Sequence, residues 1–271
     1  MAIRYLPSWA KTLVKDTLAE RHQVISSLAS HAEVMATIGN LRPIDNGFPL
    51  IRVGGEGDGG YLLPVDFDGL GGCFSPGVGK TSAFEKHLIE EYGLQCYLAD
   101  GSVEGPQIQH ERIEFEKKFI GSTRNDKFMT LDSWVDRKFR GRVNEDLILQ
   151  MDIEGWEYDT LIHLEKSTLR RFRIIALELH GLDRIFLQGC VSMFDSIFRK
   201  LTEFHDVVHL HPNNYATIET RVGVEIPPLL EVTLHRKDRA KSRSPRQQFP
   251  HVLDRQSTSG PDVVLPRCWY A

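Results

Sequence analysis

The residues of this chain that could do chemistry stand at the ends of short apolar runs. Gln95-Cys-Tyr-Leu-Ala99 ends in Asp100. Leu147-Ile-Leu-Gln-Met151 ends in Asp152, with Glu154 close behind, and Arg173-Ile-Ile-Ala-Leu177 leads into Glu178 and His180. Val207-Val-His-Leu-His211 ends in Pro212, Asn213 and Asn214. An imidazole takes a proton near neutral pH, a carboxylate orients a hydroxyl or holds a cation, and an amide hydrogen-bonds a polyol. Each residue also has an ordinary explanation. Asp152 could cap the helix that carries Tyr158 and Leu161, Glu157 could complement that helix's dipole, and Glu178 could simply pair with His180. Asn213-Asn214 after Pro212 is sound turn chemistry. His209 and His211 share one strand face but have no obvious third ligand, which favours packing over a metal pair. What argues for function is their grouping: residues that follow the ends of parallel strands gather on one edge of a sheet, where such folds bind ligands.

The stretch from Gly71 to Glu85 positions the first of these groups. A short apolar run, Cys73-Phe74, breaks at Pro76-Gly77 and carries a second glycine at Gly79. A helical pattern follows, with Phe84, Leu88 and Ile89 on one face. This reads as strand, glycine turn, helix, with backbone able to approach a ligand closely at the turn. Asp100 comes 21 residues after Gly79, about where nucleotide-binding α/β folds place the carboxylate that takes ribose hydroxyls. Gly79-Lys80-Thr81 also looks like the end of a P-loop, with the strand before Asp152 as its acid-ended companion. The P-loop's first glycine, however, is Phe74 here, and the third glycine of a dinucleotide fingerprint is Ser82. What is left suits a nucleoside whose ribose is held with no polyphosphate to cradle, and S-adenosylmethionine is the leading candidate. A P-loop and a purely structural turn are the alternatives.

The remaining elements follow from periodicity. Residues 8 to 38 carry Leu13, Leu18, Val24, Ile25, Leu28, Val34 and Ile38 at helical spacing, predicting one or two helices ahead of the sheet. They pack over the sheet or cover the site; a contact between copies of the chain is the alternative. Five glycines between Gly54 and Gly60 rule out a regular element there. That stretch is either a hairpin-like loop or a flap laying Glu56, Asp58, Gly60 and Tyr61 over the ligand. A third strand is expected from Arg112 to Gly121, after a connection close to the minimum for a parallel crossover. Thr130 caps a helix, Leu187 to Phe204 forms another, and Leu229 to His235 is the last strand. The polar stretch 236–262 reads as a solvated excursion, and the tail from Asp262 to Tyr270 is apolar enough to dock back. Seven strands, most separated by helices, give a doubly wound, seven-stranded, mostly parallel α/β sheet.

Composition sets outer limits. The 271 residues are 41% hydrophobic and 26% charged with a net charge of -4, ordinary for a globular chain and without the basic excess of a nucleic-acid binder. The four cysteines lack metal-ligand spacing, and two fall in expected core strands, as free thiols in a reducing, cytoplasmic compartment would. No run of about 18 apolar residues suggests a membrane span, and no signal peptide is seen.

Thr130-Leu-Asp-Ser-Trp134, followed by Leu147-Ile-Leu-Gln-Met-Asp-Ile-Glu-Gly-Trp-Glu157, resembles the TLD and K-x-D-x-E-G-x-E signature of FkbM-type S-adenosylmethionine-dependent methyltransferases. Arg52-Val-Gly-Gly-Glu-Gly-Asp-Gly-Gly-Tyr61, Glu178-Leu-His-Gly181 and Leu230-Glu-Val-Thr-Leu234 look like a subgroup of that family. The likeness runs from about residue 51 to 264, leaving 1–50 as an N-terminal helical extension and 51–271 as the methyltransferase domain. Two positions depart from the pattern: Gln150 stands for the usual lysine, and Trp156 for the usual alanine.

The resemblance implies a Rossmann-like methyltransferase fold and methyl transfer to oxygen, often on a sugar or polyketide hydroxyl. On that reading Ser75, Gly77, Val78, Gly79, Asp100, Gly101 and Asp152 hold the cofactor, with Glu56, Asp58, Gly60 and Tyr61 closing over it. His180, as a neutral imidazole, is the general base, and Asp152 with Glu178 orients the acceptor. Asp152, Glu178 and His180 could instead hold a divalent cation such as magnesium, which lowers the hydroxyl's pKa. Glu154, Trp156, Asn213 and Asn214 face the acceptor, a small molecule or glycan. The rival classes are a P-loop nucleotide hydrolase and a non-catalytic nucleoside-binding scaffold.

Overall fold

The computed structural model describes residues 7–20, 26–79 and 81–271. Seven strands form the central sheet: β1 (Leu70–Pro76), β2 (Cys96–Ala99), β3 (Ile113–Glu116), β4 (Asp146–Met151), β5 (Phe172–His180), β6 (His205–Pro212) and β7 (Leu229–Arg236). Their spatial order is β3-β2-β1-β4-β5-β7-β6. The pairings are parallel from β3 to β5, and only β7 runs antiparallel, between β5 and β6. The chain builds outward from β1 to β3, then restarts at β4 and builds the other way. The order therefore reverses between β1 and β4, and a crevice opens beyond their carboxyl ends.

The strands hold because both sheet faces are covered. On one face lie α2 (His31–Gly39), α4 (Leu131–Lys138), α5 (Glu157–His163) and α6 (Val191–Phe204), packing Ile38, Trp134, Leu161 and Phe194 against Phe74, Leu149 and Leu177. On the other lie α3 (Ala83–Tyr92) and a hairpin of Leu50–Val53 with Tyr61–Pro64, which bury Leu88, Val53 and Leu63 on Cys73, Ile148 and Ala176. Each large apolar side chain so buried contributes roughly 1.5–3 kcal/mol. Phe74 is central to the first face, stacked on Tyr97 and edge-on to Trp134. A P-loop needs a glycine where this core residue sits. Gly93, at φ 64°, ends α3 and passes its N–H to the Ile89 carbonyl. Among the described residues no helix is long and apolar enough to cross a membrane.

The helices expected over residues 8–38 are α1 (Ser8–Glu20) and α2; Val24 and Ile25 lie outside the described residues. The expected third strand is shorter than the sequence suggested. It stops at Glu116, where the Lys118 N–H turns back to the Glu116 carbonyl, and Phe119–Ile120 pairs separately with Phe128–Met129. The connection from β2 to β3 contains no helix. The polar stretch 236–262 is less free than a solvated excursion. Arg236 pairs with Asp146, Arg239 with Asp66, Asp254 with His209, and Arg255 with Glu56. The tail docks through Leu265 and Trp269, both buried.

Candidate active site

The crevice is a cleft of about 360 Å³ lined by Gly77–Gly79, Asp100, Phe119, Asp152, Glu154 and Trp156, among others. Its floor is the glycine turn. Gly77 has φ +91°, and a Cβ there would fall 1.7 Å from the Asp152 carbonyl oxygen. Only glycine lets β1 and β4 end this close together. Gly79 differs: a Cβ there would meet nothing within 4 Å. Asp100 binds the turn directly. Its Oδ2 accepts the Val78 N–H at 3.0 Å, and its Oδ1 accepts the Ser102 N–H and hydroxyl at 2.7 and 2.6 Å. Gly101 packs beneath Phe119, whose ring a Cβ would strike at 2.5 Å. Phe119, Phe128 and Trp156 form a tilted aromatic series at the mouth, and Trp156 is 51% exposed.

Beyond the turn, the ends of β4 and β5 bring Asp152, Glu178 and His180 together, with one donor atom from each within 4.8 Å of the others. His180 is held from behind. Glu157, fully buried at the start of α5, accepts from His180 Nδ1 at 3.1 Å and from the N–H groups of Ile153 and Gly155 at 2.9 and 3.1 Å. A carboxylate only accepts, so Nδ1 carries the proton and Nε2 faces the acids. Nε2 lies 3.5 Å from Glu154 and 3.8 Å from both Asp152 and Glu178. Glu154 itself sits in a left-handed turn, at φ 55°, that lets its exposed carboxylate reach the ring.

These charges shape one another. Burial pushes the Asp152 carboxyl up to about 6, against the opposing pull of His180 and of a hydrogen bond with Glu178. Burial, then the charges of Asp152 and Glu231, push Glu178 up to about 10. The protonated Glu178 therefore donates to Asp152, and the pair carries one negative charge. For His180, burial works downward, but the Glu157 bond and the charges of Glu157, Asp152 and Glu154 outweigh it, so its pKa is raised. The neutral imidazole expected from the sequence is thus disfavoured by its acidic surroundings. Asn213 donates to Glu178 Oε1 at 2.6 Å. Glu231 faces Glu178 across the β5–β7 register and meets His211 at 3.3 Å.

The sequence pattern of the Methyltransferase FkbM domain matches residues 70–208, just over half of the chain and the whole of this cleft. The chain belongs to the FkbM methyltransferase family. No curated protein matches the sequence significantly. Among solved structures, the chain is similar to a protein described as a SAM-dependent methyltransferase from Streptococcus mutans (11% identity, TM-score 0.35, covering 65% of this chain and 53% of that one). It is also similar to one described as a hemolysin from Streptococcus thermophilus (9%, 0.31, covering 68% and 64%). A third, described as a methyltransferase from an antibiotic biosynthesis pathway of Anabaena variabilis, matches at 10% and 0.26, covering 53% and 60%. The chain spans less than two thirds of the length of each of these proteins.

Several positions read as FkbM site residues from sequence lie away from the cleft. Tyr61 is not on a flap; it is buried in the hairpin strand, edge-on to Phe84, and its hydroxyl accepts from Gln150 Nε2 at 3.4 Å. Ser75 is buried because its side chain turns away from the cleft, toward Glu85 and Gln150. Glu56 points to solvent, paired with Arg255, and Asp58 is exposed. Gly60 lies under Arg52, which closes the glycine loop through the carbonyls of Gly55 and Gly57. Asn214 is a clamp rather than an acceptor contact: its amide holds the carbonyls of Thr258, Gly260 and Pro261 and the N–H groups of Ser257 and Thr258. Asp152 does not cap α5, because Glu157 takes that loop's N–H groups. His209 pairs with Asp254 at 2.8 Å. Lys80 lies outside the described residues. Sequence reasoning missed Phe119, Glu231 and the role of Glu157. Only Glu157 left a signal, an acid in the first turn of its helix.

Proposed function

We propose that the protein is an S-adenosylmethionine-dependent methyltransferase acting on a hydroxyl of a small molecule, sugar or glycan. The observation that carries this reading is the Asp100–Val78 hydrogen bond, which ties the acid following β2 to the glycine turn that floors the cleft. The residues fit an adenosyl ligand. Asp100 is placed for ribose hydroxyls, the open side of Gly79 admits close backbone approach, and Phe119 and Trp156 offer faces for a purine. The cleft volume lies within the range of small-molecule sites.

The cofactor, when bound, supplies an electrophilic methyl group on a sulfonium. The chain's own residues do the rest. Glu157 fixes the His180 ring so that Nε2 is the atom offered to the acceptor's proton. Positive charge brought to this edge opposes the carboxylates that raise the His180 pKa, and so favours the imidazole form able to take that proton. Asp152, with Glu178 behind it, orients the acceptor hydroxyl, and Glu154 and Trp156 border its approach. Asn213 acts through Glu178. The reading places residues 1–50 as an extension ahead of a 51–271 catalytic domain. It also places the protein in a reducing, cytoplasmic setting where the buried Cys73 and Cys96 stay thiols.

A divalent cation at the same edge is a second reading, favoured by the convergence of Asp152, Glu178 and His180 donor atoms within 4.8 Å. It would lower the pKa of a bound hydroxyl. Transfer of label from methyl-labelled S-adenosylmethionine to hydroxylated acceptors, glycans first, tests the main reading. Transfer by the wild type that falls at least a hundredfold in His180→Ala, with cofactor binding kept, is the expected result. Full activity in His180→Ala removes the base assignment, and loss of transfer on adding EDTA favours the cation.

A further inference from the structure

The cleft's apolar underside, between the sheet and the layer of α3 and the hairpin, contains a buried polar line: Glu85, Ser75, Gln150 and Tyr61. Its bonds can run in only one direction. Ser75 Oγ contacts Gln150 at 2.5 Å, a length that suits O–H···O and is too short for N–H···O, so the amide oxygen faces the serine. That oxygen can only accept, so the single Ser75 proton goes to Gln150. The same hydroxyl also makes a short contact with Glu85 Oε1, and with its proton already committed it must accept there. Glu85 is then the donor, which requires a neutral carboxylic acid. Burial raises its pKa and outweighs the opposing pull of the Ser75 contact and of its own backbone N–H.

The other end follows from the same inventory. With its oxygen on Ser75, Gln150 turns its NH₂ group to the Tyr61 oxygen at 3.4 Å. Tyr61 accepts there, so its own phenol hydrogen is free to point elsewhere. The side chain is buried, set by the hairpin against the sheet face that carries Gln150. Gln150 lies in β4 two residues before Asp152, which follows the strand's end; Gln150 pairs with Ala176, two residues before Glu178, and Glu178 pairs with Glu231, so alternation puts these acids on the Gln150 side of the sheet.

We propose that Tyr61 is a positioning residue of the methyl-transfer site, its phenol hydrogen turned toward the Asp152 carboxylate by a one-way hydrogen-bond chain that starts at a neutral Glu85 and passes through Ser75 and Gln150. The proposal deepens the methyltransferase reading and rests on it for its catalytic consequence. The chain itself does not depend on turnover.

Infrared difference spectroscopy of the wild type against Glu85→Gln tests the head of the chain. The expected result is a protonated-carboxyl carbonyl band at neutral pH that disappears in the variant. An ionised-carboxylate signal assigned to Glu85 would overturn the proposal. Kinetics test the other end. Tyr61→Phe is expected to lower kcat about tenfold, the scale of one lost hydrogen bond, with KM for the cofactor unchanged. Glu85→Ala should lower kcat severalfold, and Glu85→Gln, whose amide can still donate to Ser75, should recover it. A folded Tyr61→Phe protein with wild-type kcat, or a Glu85→Gln no better than Glu85→Ala, contradicts the chain. A wild type that transfers no methyl group refutes the functional reading instead, and the infrared band still decides the state of Glu85.

Discussion

Glu157 holds His180 Nδ1 at 3.1 Å from a fully buried position, although the two residues lie on different elements and 23 positions apart. The same carboxylate ties down the loop that follows β4, so the geometry of the imidazole and of the Asp152–Gly155 turn are set by one side chain. Orientation of a base by a buried acceptor is what turns a histidine near a ligand into a directed one.

Glu157→Gln should therefore keep the fold and the cofactor affinity while lowering kcat about tenfold or more. The pH dependence of stability gives a second readout. The His180 pKa is raised in the folded state, so the pair's contribution is fully present below the unfolded value of about 6.5 and is lost as pH rises through the folded value. The Tm difference between wild type and Glu157→Gln should be largest in mild acid and shrink in alkali; a difference independent of pH would show that His180 is not the partner that matters.

Glu178→Gln should stabilise the protein while damaging turnover. A carboxyl whose folded pKa is raised costs stability as pH climbs above its unfolded value, about 4.3, because the unfolded chain has already released a proton that the native state keeps. The glutamine removes that cost and keeps an oxygen for Asn213. In EDTA, the variant's Tm should exceed that of the wild type by a few degrees at pH 8 and match it near pH 4. A lower Tm at pH 8 would mean that Glu178 is ionised and favourably paired.

The two glycines of the turn should behave differently. Gly77→Ala forces a Cβ onto the Asp152 carbonyl at a positive φ, and is expected to cost about 2–4 kcal/mol and to abolish cofactor binding. Gly79→Ala meets open space, so its Tm should stay within about a degree of the wild type and any loss should fall on ligand affinity alone. Thermal unfolding of both proteins, with and without S-adenosylhomocysteine, separates the cases.

Much of this arrangement could be read from the sequence because the fold places strand ends on one edge. Asp100, Asp152, Glu178 and His180 each follow an apolar run, and the structure brings Asp100 and Asp152 to the cleft and gathers Glu178 and His180 around Asp152. The misreadings have a common cause. Tyr61 follows a glycine-rich loop and so looked mobile, yet its ring completes the apolar layer under the sheet. Asn214 sits beside Asn213 after a strand, but the two side chains diverge, one to Glu178 and the other to the segment 257–261. Glu157 read as a helix-dipole residue because its partner lies on the next strand. Local pattern reports which residues reach the edge; which of them turn inward depends on contacts made across the fold.

The most direct measurement is calorimetric titration of the wild type and Asp100→Ala with S-adenosylmethionine, S-adenosylhomocysteine and magnesium-ATP. Micromolar binding of both adenosyl compounds to the wild type, at least tenfold weaker binding to Asp100→Ala, and none of ATP to either is the predicted result. Binding of ATP without either adenosyl compound would contradict the account at its centre, because the turn from Gly77 to Thr81 would then be a phosphate site.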